Sequence, residues 1–147
     1  ALKSVEPPPM IVYARGAVNH SLVEISRSGY DVVGIDHTVE PAWARQCLAQ
    51  AQSSNRKFSE VEVNKGAQHR IAIQGNLDPA ILYARPEVIQ DRVRRMFQTT
   101  TGGFGGQGAL ICNLGQGITP GVDPDHLRVF LEAVHRVSKE MADNNDD

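Results

Sequence analysis

The stretch Gly29-Tyr30-Asp31-Val32-Val33-Gly34-Ile35-Asp36-His37-Thr38-Val39-Glu40-Pro41 decides the fold. Its apolar run at residues 32–35 has the length of a strand and no alternating polar positions, which is typical of a strand buried on both faces. Pro41 suits the first position of a helix. Apolar residues follow it at helical spacing, namely Ala44, Cys47, Leu48 and Ala51. A short buried strand followed by such a helix indicates one unit of a parallel α/β sheet.

Three further units of the same kind are predicted on either side of this one. Their strands are predicted at residues 10–13, 71–73 and 109–112. Their helices are predicted to begin near Ser21, Pro86 and Pro124. The apolar stripes of the last two helices are Val88, Ile89, Val93, Met96 and Phe97, and then Leu127, Phe130, Leu131, Val134 and Val137. We therefore predict an α/β fold of four strand-helix units that forms a single domain over residues 1–147.

The composition narrows the class of protein. The chain has 147 residues, 41% hydrophobic and 22% charged, which is ordinary for a globular domain. A net charge of -2 gives no reason to expect nucleic acid as a partner. No apolar run approaches the roughly 20 residues that span a membrane, so we expect a cytoplasmic protein. Cys47 and Cys112 are then expected to be reduced and buried.

Three segments depart from the strand-helix rhythm. Residues 53–68 are polar and are interpreted as an insertion, in which Val61-Glu62-Val63 alternates as a short extra strand would. Residues 99–108 contain five glycines and predict a mobile loop. Phosphate binding there is the less favoured alternative, because the loop precedes a strand and does not open a helix. The polar tail at residues 143–147 is expected to fray.

Polar residues follow the predicted strands. Because the carboxyl ends of parallel strands meet at one edge of a sheet, these residues are predicted to form the rim of a pocket. Asp36 and Asp78 are the strongest candidates, since each directly follows an apolar strand. The alternative is that such side chains cap helices and hold turns. The full set is Arg15, Asn19, His20, Asp36, His37, Thr38, Gln74, Asn76, Asp78, Asn113 and Gln116.

The sequence shows no pattern for a metal or a nucleophile. His126 and His135 are nine residues apart and do not share one turn of a helix, so we expect them on the surface. No Gly-x-Ser-x-Gly elbow occurs, and no cysteine-histidine spacing argues for a nucleophile. We expect neither a cofactor nor a metal.

Three stretches carry a resemblance to a known family. Residues 29–39 are similar to Gly-Tyr-Asp-Val-Val-Gly-Leu-Asp-Trp-Thr-Val, residues 74–79 to Gln-Gly-Asn-Leu-Asp-Pro, and residues 113–117 to Asn-Leu-Gly-His-Gly. In this order they resemble motifs of the uroporphyrinogen decarboxylase family. The resemblance runs from Pro9 to the last helix and identifies the chain with the C-terminal half of that family.

The resemblance implies a fold and a reaction. The family fold is a (β/α)8 barrel, and the four units here would be its last four. The family converts uroporphyrinogen III to coproporphyrinogen III in porphyrin and heme biosynthesis, without a cofactor. Its arginines, central aspartate and tyrosine lie in the first half, so we assign no catalytic residue here. Gln116 stands where the family has a substrate-contacting histidine, and His37 stands where it has tryptophan. Further candidate substrate-binding residues are Asp36, Asn76, Asp78 and Asn113.

Four strands cannot close an eight-stranded barrel, so the isolated chain is predicted to form an open, flavodoxin-like parallel sheet flanked by helices. A homodimer, or an N-terminal half supplied as another chain, would cover the exposed face. The leading hypothesis is a decarboxylase domain that is inactive without its N-terminal half. The alternative is a non-catalytic module that binds a tetrapyrrole or a protein. A zinc- or corrinoid-dependent methyltransferase ranks last, because the thiolate-histidine cluster is missing.

Overall fold

The computed structural model describes residues 8–16, 20–54, 71–98 and 109–143. Within them, four strands alternate with four α-helices, and a 3-10 helix at Pro79–Tyr83 follows the third strand. The strands are β1 (Ile11–Tyr13), β2 (Val32–Gly34), β3 (Ala72–Leu77) and β4 (Leu110–Leu114). The α-helices are α1 (His20–Arg27), α2 (Pro41–Ser54), α3 (Pro86–Phe97) and α4 (Pro124–Asp143).

The four strands form one open sheet in the order β1-β2-β3-β4, and every neighbouring pair is parallel. The predicted open parallel sheet flanked by helices is therefore confirmed. Successive strands of a (β/α)8 barrel are neighbours in this same order. Flavodoxin-like sheets instead reverse their order after the first strand. The strand order is thus that of half a barrel, and the flavodoxin-like order predicted for the isolated chain is not the order observed.

One face of the sheet carries the hydrophobic core. One core-facing residue of each strand is paired with a core-facing residue of the neighbouring strand. Together they form a row across the sheet, which consists of Val12, Val33, Ile73 and Leu110. Side chains from all four α-helices pack on this row, among them Leu22, Leu48, Val93 and Phe130. Sequential strand order with right-handed crossovers places all the helices on the same side of a sheet, which explains the single core.

The opposite face, here called the open face, carries the alternate residues of each strand. Its apolar side chains on the outer strands are largely exposed: Ile11 is 50% exposed, Tyr13 46% and Ile111 38%. None of the three belongs to the hydrophobic core. In a closed barrel these positions would point into the interior, where bulky apolar residues normally fill the space. On the two outer strands the open face is therefore an exposed apolar surface.

Two strands run further than the sequence predicted. β3 continues through Gln74 and Asn76 to Leu77, and β4 includes Asn113. These residues were expected in loops because the apolar run stops before them. Asn76 instead pairs with Asn113 in the sheet ladder, and Leu77 pairs with Leu114. Polar side chains at a strand end thus extend the sheet while still lying at its carboxyl edge.

Helix boundaries follow the proline and capping signals with one exception. α2, α3 and α4 begin at Pro41, Pro86 and Pro124 as predicted. Asp123 accepts a hydrogen bond from the Asp125 amide at 2.8 Å, as an N-cap residue should. α1 begins at His20, one residue before the predicted start, so Ser21 lies inside the helix and is not its N-cap. The 3-10 helix was not predicted.

The helices pack as two pairs, α1 on α2 and α3 on α4. Between the pairs lies a pocket of about 350 Å³ on the helix side of β3. The apolar stripes of α3 and α4 are largely as predicted, but Val88 is 36% exposed and Leu131 is 49% exposed. Ala133 takes a core position on α4 that the sequence did not single out.

Several predictions fall outside the described residues. They are Asn19, the insertion beyond Ser54 with its Val61–Val63 strand, the loop at 99–108 and the tail beyond Asp143. Ser53 and Ser54, the first two residues of that insertion, are the last residues of α2. Among the described helices, none combines the length and apolar character needed to cross a bilayer.

Candidate functional site

The carboxyl edge of the sheet brings the predicted polar residues together, and backbone contacts decide what each of them does. Asp36 follows β2 and is only 4% exposed. One of its oxygens accepts a hydrogen bond from the Gly16 amide at 2.7 Å, and the other accepts from the Thr38 amide and hydroxyl at 2.8 and 2.5 Å. The side chain therefore ties the loop after β1 to the loop after β2.

The charge of Asp36 is stabilised where it lies. Burial alone would raise the pKa of its carboxyl group, but the hydrogen bonds from Thr38 and Gly16, with the nearby His37, lower it below the ordinary value of 3.8. A carboxylate that accepts several backbone hydrogen bonds typically shows this behaviour. Asp36 is therefore an ionised anchor of the loop, and its acceptor oxygens already have partners.

Asn76 plays a similar part on β3. Its side chain is 8% exposed, and its amide nitrogen donates to the carbonyl oxygens of Asp36 at 2.9 Å and Val39 at 2.7 Å. These bonds hold the backbone of the loop after β2 against the end of β3. The structure thus places Asp36 and Asn76 in one network that fixes the shape of the edge.

Asp78 caps the 3-10 helix. Its carboxylate accepts a hydrogen bond from the Ala80 amide at 2.9 Å, and Pro79 follows it in the first helical position. This is the helix-capping alternative considered for such residues. Asp78 also lines the pocket between the two helix pairs.

Asn113 and Gln116 lie at the carboxyl end of β4 and are accessible. Asn113 is exposed, and among the described residues its side-chain oxygen accepts a hydrogen bond only from the Leu114 amide next to it, at 2.9 Å. Gln116 is partly exposed, in the loop after β4. Its carboxamide has no hydrogen-bond partner among the described residues. A free carboxamide can both donate and accept hydrogen bonds.

Tyr13 belongs to this site and was not singled out from the sequence. It ends β1 on the open face, and its hydroxyl donates to the Gly115 carbonyl oxygen at 2.8 Å. A Cβ atom at Gly34 would lie 3.0 Å from the Tyr13 ring. Glycine at this point of β2 therefore leaves room for the ring to cross the neighbouring strand. The glycine inside the apolar run 32–35 was the only signal of this contact.

Gly115 brings the loop after β4 onto the loop after β2. Its amide donates to the Leu77 carbonyl oxygen at 2.7 Å. A Cβ atom on Gly115 would lie 2.3 Å from the His37 backbone nitrogen, far closer than any real contact. The close approach requires glycine. Because the next residue is Gln116, the contact also fixes where that side chain starts.

His37 faces the helix side of the edge. It lines the 350 Å³ pocket together with Glu40, Asp78, Arg92 and Arg95. Its Nδ1 atom is buried and has no hydrogen-bond partner among the described residues. Two carboxylates and two guanidinium groups give the pocket no dominant charge. Neither Asn113 nor Gln116 lines this pocket.

The remaining rim residues are dispersed. Arg15 and His20 are exposed, and the His20 ring lies 3.9 Å from Glu24 on the surface of α1. His126, expected on the surface, is half-buried, and its Nδ1 lies 2.7 Å from the Leu82 carbonyl oxygen. Across residues 8–16, 20–54, 71–98 and 109–143, no three His, Cys, Asp or Glu side chains are arranged to hold a metal ion.

Comparison with known proteins gives the family. A model of the uroporphyrinogen decarboxylase (URO-D) family matches residues 1–137 of the chain. The chain belongs to the uroporphyrinogen decarboxylase family. The match covers all four strands and most of α4, so the half barrel described above is a family fold and not a chance likeness in one motif.

Individual members of the uroporphyrinogen decarboxylase family match along nearly the whole chain. Uroporphyrinogen decarboxylase of Schizosaccharomyces pombe is 41% identical over 134 residues, which is 91% of this chain. The Dictyostelium discoideum protein of the same name is 37% identical over 95% of the chain, and the Homo sapiens protein is 35% identical over 94%. The chain spans only 31–32% of the length of these relatives.

Proposed function

We propose that this chain is the C-terminal part of the barrel of a uroporphyrinogen decarboxylase and contributes one side of its tetrapyrrole site. The reaction would be the removal of acetate carboxyl groups from uroporphyrinogen III to give coproporphyrinogen III. In this proposal the chain works only together with an N-terminal half, which supplies the remaining strands and the catalytic groups.

The open face is the single observation that carries the proposal. Four parallel strands in barrel order leave Ile11, Tyr13 and Ile111 exposed on the side where a barrel would be filled. A sheet with two free edges can pair with further strands. Four more strands would complete the eight of the family barrel and bury these side chains.

Asn113 and Gln116 would line the completed site. Uroporphyrinogen carries eight carboxylate groups, and a carboxamide can donate hydrogen bonds to a carboxylate. Gln116 cannot become a cation as a histidine can, so its contribution is hydrogen bonding without charge. On this proposal the cations that offset the substrate charge come from the other half.

An activity assay on mixed halves tests the proposal. The purified chain is mixed with the part of the S. pombe relative that precedes its matched region, and coproporphyrinogen formation from uroporphyrinogen is followed. We expect product from the mixture and none from either part alone. A second variant is Gln116→His, which restores the family residue and should raise the rate of product formation by the mixture. A mixture without activity, or activity from the chain alone, would count against the proposal.

A second candidate is a non-catalytic tetrapyrrole-binding module. The observation that favours it is Gln116, which stands where the family has a histidine. Glutamine can still form hydrogen bonds with a ligand, but it cannot be protonated to a cation as histidine can. Absorbance titration of the chain alone with uroporphyrin separates the two ideas. Tight binding without any activity in the mixture favours the module, whereas activity in the mixture favours the decarboxylase.

The partner that completes the sheet is also a proposal. Two copies of this chain would supply eight strands, with β4 of each beside β1 of the other and a two-fold axis along the barrel. An N-terminal half would supply the same number of additional strands, four. Sedimentation of the chain alone distinguishes them: a monomer that associates only with the N-terminal half supports the decarboxylase proposal, and a stable dimer supports the self-completed barrel.

A further inference from the structure

The loop between β4 and α4 is held at two points by tyrosine hydroxyl groups. At its start, Tyr13 donates to the Gly115 carbonyl oxygen at 2.8 Å. Further along, the Tyr83 hydroxyl donates to the Pro120 carbonyl oxygen at 3.1 Å and lies 2.9 Å from the Thr119 hydroxyl. One phenol can donate once and accept as well, so Tyr83 can use both partners at the same time.

The two tyrosines come from different parts of the chain. Tyr13 ends β1, 102 residues before its partner. Tyr83 ends the 3-10 helix after β3, 36 residues before Thr119. The loop after β4 is therefore fixed to the first strand on one side and to the β3–α3 connection on the other. We call these two residues the tyrosine clamp.

The residues between the two anchors are presented to solvent. Gln116 is partly exposed, and Gly117 and Ile118 are exposed, with Ile118 at 49%. Among the described residues, none forms a hydrogen bond with the Gln116 carboxamide. A Cβ atom added at Gly117 would meet nothing within 4 Å. The segment 116–118 is thus held by hydrogen bonds at both of its ends, and its side chains are accessible between them.

We propose that Tyr13 and Tyr83 are positioning residues that hold Gln116 ready to donate a hydrogen bond to a carboxylate of a bound tetrapyrrole. The inference rests on the proposed function for the identity of the ligand. Ordering a loop on binding costs conformational entropy, and a loop that is already ordered avoids that cost. Two phenol hydroxyl groups fix the backbone on both sides of Gln116 while leaving its side chain free.

Removing the hydroxyl groups tests the clamp. Tyr13→Phe and Tyr83→Phe keep the rings and delete only the hydrogen bonds. The control is Tyr30→Phe, since Tyr30 precedes β2 at the opposite edge of the sheet and its hydroxyl bonds none of the described residues. NMR relaxation should show the amide order parameters of residues 116–118 falling from about 0.85 to below about 0.6 in the double variant. Those of Tyr30→Phe should stay unchanged.

The dissociation constant for uroporphyrin, measured on the mixture of the chain with the part of the S. pombe relative that precedes its matched region, supplies the second readout. We expect it to rise about threefold in each single variant and about tenfold in the double variant, with no change in Tyr30→Phe. In a Gln116→Ala background the same tyrosine changes should have no further effect, because the group they position is gone. A purely structural role would weaken binding equally in both backgrounds and would overturn the proposal.

The two ideas fail in different ways. If the mixture of the chain with the part of the S. pombe relative that precedes its matched region binds no uroporphyrin, the tetrapyrrole site of the proposed function is wrong and the positioning role falls with it, whatever the order parameters show. If uroporphyrin binds but the order parameters of residues 116–118 do not change in the double variant, the clamp is overturned and the proposed function stands.

Discussion

Asp36 shows at the scale of one residue how the site edge is held. Asp36→Asn keeps the size of the side chain but replaces the carboxylate, whose two oxygens accept three hydrogen bonds, with a neutral carboxamide. Hydrogen bonds to charged groups contribute roughly 1.5–3 kcal/mol, so we expect the free energy of unfolding to fall by about 2 kcal/mol at pH 7. Urea unfolding measures it. The control is Asp91→Asn, an exposed partner of Arg95, with an expected change below about 0.5 kcal/mol.

The same substitution has a predictable dependence on pH. The pKa of the folded Asp36 carboxyl lies below its ordinary value of 3.8. A lowered folded pKa means that the stabilisation is complete above the unfolded pKa and is lost as the pH falls through the folded one. The difference between wild type and Asp36→Asn should stay constant from about pH 7 to pH 5 and shrink below about pH 4. A difference that grows on acidification would contradict this account.

Gly115 and Gly117 form a matched pair in the same loop. A methyl group at Gly115 would collide with the His37 backbone at 2.3 Å, whereas at Gly117 it would meet nothing within 4 Å. Because backbone atoms cannot move aside cheaply, we expect Gly115→Ala to cost about 3 kcal/mol and Gly117→Ala less than about 1 kcal/mol. Thermal unfolding of both variants checks this. Equal melting temperatures would show that the loop does not pack on His37.

At the scale of elements, β4 separates its two faces clearly. Cys112 lies on the core side of the strand, and burial raises the pKa of its thiol to about 11. At pH 8 only about one thiol in a thousand would then be ionised, and the thiolate is the reactive form. In a Cys47→Ser variant, iodoacetamide should modify Cys112 at least about 100-fold more slowly in the folded than in the urea-unfolded protein. Similar rates would place Cys112 on the exposed side.

α4 offers a test of its own register. Phe130 is 3% exposed and its neighbour Leu131 is 49% exposed, although the sequence predicted both in the core stripe. Truncating a buried phenylalanine to alanine typically costs about 3–5 kcal/mol, so Phe130→Ala should be strongly destabilising. Leu131→Ala should cost less than about 1 kcal/mol. Chemical denaturation of the two variants measures both, and a reversed order would mean that α4 is rotated.

The helices and strands also show which structural features the sequence predicts and which it does not. Proline at the first helical position located the starts of α2, α3 and α4, since few positions tolerate proline so well. Leu131 was misplaced because it lies beside the core face, and periodicity alone does not fix the edge of a stripe. The strand residues Asn76 and Asn113 were missed because apolar runs mark strand interiors, whereas pairing with a neighbouring strand sets their ends.

The candidate site was predictable in location more than in detail. Because the predicted strands are parallel, Asp36, Asn76 and Gln116 could be placed at the carboxyl edge of the sheet from the sequence. The roles of Asp36 and Asn76 as ties between loops depend on contacts across 20 to 40 residues of sequence, which no local pattern reveals. Tyr13 was missed for the same reason. Its partner Gly115 is 102 residues away.

At the scale of the whole molecule, the open sheet has the strand order of half a barrel. Sequential parallel strands, a single core on one face and exposed Ile11, Tyr13 and Ile111 on the other all follow from that. An aspartate on the open face would be tolerated by the isolated chain but would block burial of that face, because a buried unpaired charge is costly. The same change on the outer surface of α4 would block nothing.

The affinity of the chain for an N-terminal half tests this claim most directly. Titration calorimetry would use the part of the S. pombe relative that precedes its matched region, with wild type, Ile111→Asp and the control Leu131→Asp. We predict that wild type and Leu131→Asp bind with the same dissociation constant and that Ile111→Asp binds at least about tenfold more weakly. Equal binding by Ile111→Asp and wild type, or no binding by wild type, would contradict the account.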